Sequence, residues 1–171
     1  MLASSIFIEV IRTPTLPYSD PLDVFCRALK QAGHTRWLRW FACWCAWRAA
    51  ALTGDSQCIP ELRVAQRFAR GRATEEELSK AHEAVTLAVN EAEEADEAAY
   101  QAICSVEYAT SPGADEYVIR MAAVCLYCTQ ACGSVAGKEL GYSVLDEERE
   151  REVIYRMMIR IIKKIEKGIH Q

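Results

Sequence analysis

The sequence predicts an all-α protein, a compact bundle of about six helices in which one long, alanine-rich helix takes a central or flanking place. Three observations lead there. Leu78, Ala81, Val85, Ala88, Ala92, Ala95, Ala99, Ala102, Val106 and Ala109 succeed one another at alternating steps of three and four, which puts all of them on one helical seam. The eight glycines and five prolines are few and fall between apolar-periodic segments, the punctuation of helices rather than of short strands. Helix-capping residue types stand at those same breaks.

Residues 1–18, interrupted by Pro14 and Pro17, read as an irregular N-terminal arm, and residues 19–171 as a single helical domain. Asp20 suits the N-cap of a first helix, with Pro21 at its first position. That helix runs to about Ala32, where Gly33 is a natural stop. A second helix spans Thr35 to Thr53 and ends at Gly54, and a third runs from near Pro60 to Gly71. Thr74 and Glu77 form a capping-box pattern that opens the long helix, and Pro112 and Gly113 close it. Asp115 begins a fifth helix that ends near Gly133 or continues to Leu140, before the break at Gly141. Asp146 opens the last helix, which reaches about Lys167. Asp146, Glu147, Glu148 and Glu150 at its start and Lys163, Lys164 and Lys167 at its end oppose the helix dipole favourably. Ile154, Met157, Met158, Ile161, Ile162 and Ile165 supply its buried face.

The second helix is apolar on two sides. Trp37, Trp40, Trp44 and Trp47 form one seam, and Leu38, Phe41, Cys45 and Leu52 another beside it. A helix of that kind is sandwiched between neighbours, so it is expected at the centre of the bundle with its tryptophans in the core. The rival reading of the tryptophans is an aromatic binding surface.

At 171 residues the chain is long enough to bury a sizeable core. A net charge of −4 argues against nonspecific nucleic-acid binding. No apolar run reaches the ~20 residues that a membrane span needs. Ile6-Phe7-Ile8 lacks the basic start and small-residue cleavage site of a secretion signal. With no such signal, the eight cysteines are expected as reduced thiols in a cytoplasmic protein.

Few constellations suggest chemistry. Cys125, Cys128 and Cys132 share one face of a helix at steps of three and four. A thiol-based metal or redox site is the alternative they raise, and packing as small apolar residues is the simpler reading. His34, His82 and His170 accompany no nucleophile motif, and no phosphate-binding loop or metalloprotease motif occurs. No cofactor, no metal and no catalytic residue is therefore expected, and the chain is not expected to be an enzyme. Charge is more suggestive. The third helix is basic through Arg63, Arg67 and Arg70, followed by Arg72, and the long helix is acidic. The two sets are expected to pair across the Gly71 turn or to stand as solvated faces. Glu91, Glu94 and Glu97, spaced by threes, repel one another unless a cationic partner offsets them, which makes them the candidate partner-binding residues.

Two stretches carry a family resemblance. Leu38-Arg39-Trp40-Phe41-Ala42-Cys43-Trp44-Cys45 resembles an LRxFACxC signature, and Val64 through Leu78 resembles its VAxRxAxGxATxEEL continuation, with an alanine-rich helix following. They resemble the immunity proteins of bacterial polymorphic toxin systems, over roughly residues 35–135. The resemblance implies an all-α cytoplasmic protein that binds and silences a protein toxin domain without catalysis. The 1–18 arm and the tryptophan-rich second helix depart from the family pattern. A structural or oligomeric helical module, self-associating through the alanine seam, is the other reading the residues leave open.

Overall fold

Glycine and paired caps set the lengths of the rods. In the computed structural model the described residues are 21–54, 57–92, 96–113, 119, 122–126 and 145–168. They form α1 (Pro21–Gln31), α2 (Thr35–Thr53), α3 (Ile59–Ala69), α4 (Glu75–Glu91), α5 (Glu97–Thr110) and α6 (Leu145–Glu166), with a further helical segment at 122–126. The protein is an all-α bundle, with no strand among the described residues. The 1–18 arm, Asp20 and most of the expected 115–140 helix lie outside those residues.

The ends follow local chemistry. α3 closes in a Schellman motif: the Arg72 amide donates to the Arg67 carbonyl at 2.8 Å and the Gly71 amide to Phe68 at 2.9 Å. Gly71 makes that possible with a φ of +68°, in the left-handed region where a Cβ is strained. α4 opens in the expected capping box. The Glu77 amide donates to Thr74 Oγ1 at 3.1 Å, and the Thr74 amide donates to Glu77 Oε2 at 2.7 Å.

The single long helix expected over residues 78–109 is two helices. α4 ends at Glu91, and α5 starts after Asp96, whose carboxylate accepts from the Ala98 amide at 3.2 Å. Length explains the break. An unbroken helix over those residues would run about 48 Å, while α2 and α3 are only 19 and 11 residues long, so half of its seam would face nothing. Asp96 favours a cap over a helix interior because its short carboxylate competes for backbone amides. Eight of the ten seam residues are buried, Leu78, Ala81, Val85, Ala88 and Ala92 in the first half and Ala102, Val106 and Ala109 in the second; Ala99 is half-buried, and Ala95 lies outside the described residues. Buried members of the one sequence seam thus stand on two antiparallel rods.

Cross-helix contacts fix the directions. His82 Nδ1 lies 3.4 Å from Thr110 Oγ1, and Thr86 Oγ1 donates to Glu107 at 3.1 Å, so α4 and α5 run antiparallel. α2 packs on α3 and α5, α3 on α4, and α4 on α5. The result is a closed, up-and-down four-helix ring with short connections. α1 packs on α2. α6 joins through buried Ile154, Met157, Met158, Ile161 and Ile162, and Lys164 Nζ sits 5.8 Å and 5.6 Å from the ring centroids of Trp37 and Trp40.

α2 is central, as its two apolar seams imply. Leu38, Phe41, Ala42, Cys43, Cys45, Ala46 and Ala49 are wholly buried, and Trp40, Trp44 and Trp47 pack against the core at its margin. Alanines on α2 and α5 let these two rods approach closely. Leu52 departs from its seam: it is 49% exposed, because the last turn of α2 before Gly54 reaches the end of the ring.

Candidate functional site

The ring has two ends of different chemistry. One holds the α4–α5 turn, the last turn of α2 and the start of α3. Glu91, Asp96 and Glu97 are exposed there, and Leu87, one turn before Glu91, is 64% exposed. Because α4 stops at Glu91, the three glutamates do not follow one helical face. Glu91 and Glu97 flank the hairpin tip instead, and Glu94 lies outside the described residues. Glu97 Oε1 accepts from Gln101 Nε2 at 2.9 Å, one turn along α5.

The opposite end gathers the first turn of α2, the last turn of α3 and the last turn of α5. Arg36, Arg70 and Arg72 are exposed there, and Arg39 is 2% exposed. Arg39 Nη1 donates to the Ala109 carbonyl at 2.9 Å and Nη2 to the Pro112 carbonyl at 3.2 Å. It thereby satisfies a carbonyl that the last turn of α5 leaves without a helical partner, and a second one just beyond that helix. Its guanidinium also lies 5.3 Å from the Phe68 ring centroid. Burial pulls the pKa of Arg39 below its ordinary value, with the nearby Cys43 opposing; a guanidinium in a protein stays charged all the same. Thr35, Arg36, Arg39, Phe68, Ala69, Gly71 and Ala73 line a crevice of about 320 Å³ at this end. The two stretches that carry the family resemblance, 38–45 and 64–78, thus meet in one place.

The basic and acidic sets do pair across the Gly71 turn, through Arg67 Nη2 and Glu77 Oε1 at 3.2 Å. Hydrogen bonding from the Thr74 amide, assisted by Arg67, holds Glu77 below the usual carboxylate pKa. Both groups are about half exposed, so this pair adds little stability by itself.

The cysteines are core residues where described. Cys26, Cys43, Cys45, Cys58, Cys104 and Cys125 are buried. Burial pushes the Cys43 thiol up to about 12. Cys45 is pushed well above 9.0, first by burial and then by the neighbouring thiols of Cys26, Cys43 and Cys125. Such thiols stay protonated at neutral pH, and a protonated thiol is a poor nucleophile. Cys128 and Cys132 lie outside the described residues, and among those described no group of three or more Cys, His, Asp or Glu is arranged to hold a metal ion. His82 is half-buried between α4 and α5, and His170 lies outside the described residues. No described helix is long and apolar enough to cross a membrane.

Comparison with protein-family models, with curated proteins and with solved structures finds no match.

The arginine-lined crevice is the feature that sequence reasoning missed. Two signals pointed to it. Arg39 interrupts an otherwise apolar stretch from Trp37 to Cys45, and the first turn of α2 carries Arg36 where helices favour an acid.

Proposed function

We propose that the chain is a non-catalytic, cytoplasmic helical binding protein, an immunity protein that docks on a cognate bacterial toxin domain and blocks it. One observation carries this reading: at the end of the ring that holds the α4–α5 turn, Glu91, Asp96 and Glu97 are exposed, and the exposed Leu87 lies one helical turn before Glu91. An exposed apolar side chain on the same end as like charges suits a protein interface, with the leucine as contact and the carboxylates as selector. The field selects a partner with a basic face and speeds the encounter. The likeness of the 38–45 and 64–78 segments to toxin-immunity proteins supports the choice of partner class. The alanine seam favours this reading over self-association, since its described residues from Leu78 to Ala92 and from Ala102 to Ala109 face the chain's own helices.

The test is calorimetric titration of the toxin domain encoded beside this gene with wild type, Glu91→Lys/Glu97→Lys and Leu87→Ala, at low and high salt. The double variant is expected to lose about tenfold or more in affinity and to flatten the salt dependence. Leu87→Ala is expected to weaken binding while leaving thermal stability unchanged. Wild-type affinity in both variants overturns this reading.

A further inference from the structure

We draw no further inference here: the strongest candidate, the exposed basic face of α6 formed by Arg156, Arg160, Lys163 and Lys167 beside the partly exposed Tyr155, is a solvated surface patch, and nothing in the structure shows what covers it.

Discussion

Replacing Arg39 by methionine isolates what one buried guanidinium does for this bundle. Methionine keeps most of the volume and removes both hydrogen bonds. The Ala109 carbonyl, on a residue with no exposure, then has no donor, and an unsatisfied buried carbonyl costs about 1–3 kcal/mol. Pro112 is exposed, so water replaces Arg39 at its carbonyl and that loss is small. The contact with Phe68 contributes about 0.5–1 kcal/mol more. Against these stands the relief of no longer burying a charge. The balance is a destabilisation of about 2 kcal/mol, which lowers Tm by about 4–8 °C in a chain of this size. Arg39→Ala adds a cavity and is expected to lose more, about 3–5 kcal/mol in all. Urea unfolding gives the free energies, and hydrogen exchange locates the damage. Protection should fall first at 107–113, the end of α5. If Arg39→Met unfolds within about 0.5 kcal/mol of wild type, the guanidinium does not hold the end of α5, and packing alone does.

Two further predictions concern the frame. Thr74→Ala removes one half of the capping box and orphans the Glu77 amide; a loss of about 1 kcal/mol is expected in urea unfolding, with helix content otherwise retained by circular dichroism. The Cys43 thiol makes stability fall at alkaline pH. Its folded pKa is raised, so the folded chain holds the proton more tightly than the unfolded one. The contribution is complete below 9.0 and is lost as pH rises from there toward about 12. Cys43→Ala should therefore show a shallower alkaline decline than wild type, and an identical slope would refute the assignment.

Much of the fold was legible because the signals were local. The Thr35–Thr53 helix, its Gly54 stop and the Thr74–Glu77 capping box are written in adjacent residues, and each occurs as read. The apolar face of the last helix is likewise a matter of spacing, and five of its six named residues are buried, with Ile165 at the core margin. The hairpin was not legible. A seam at steps of three and four looks the same in the sequence of one long rod and in that of two antiparallel rods. What breaks the rod is the length of its neighbours, a tertiary fact. Asp96 was the local clue, and it was hidden among glutamates that read as a solvated face. The crevice was illegible for a related reason. Arg39 meets Ala109, 70 positions away, and an arginine within an apolar stretch reads equally as a side chain reaching past the core to water.

Both ends of the molecule depend on the chain turning back between Glu91 and Glu97. That turn places the acidic tip at one pole and Arg39, Ala109 and the crevice at the other. Electron–electron resonance between labels at Lys80 and Ser111, attached by non-thiol chemistry because of the eight cysteines, tests it directly. Adjacent antiparallel rods have axes about 8–10 Å apart, so a distance below about 20 Å is expected. A continuous helix across those 31 steps would hold the labels about 46 Å apart, and a distance near that value would contradict the hairpin and every surface built on it.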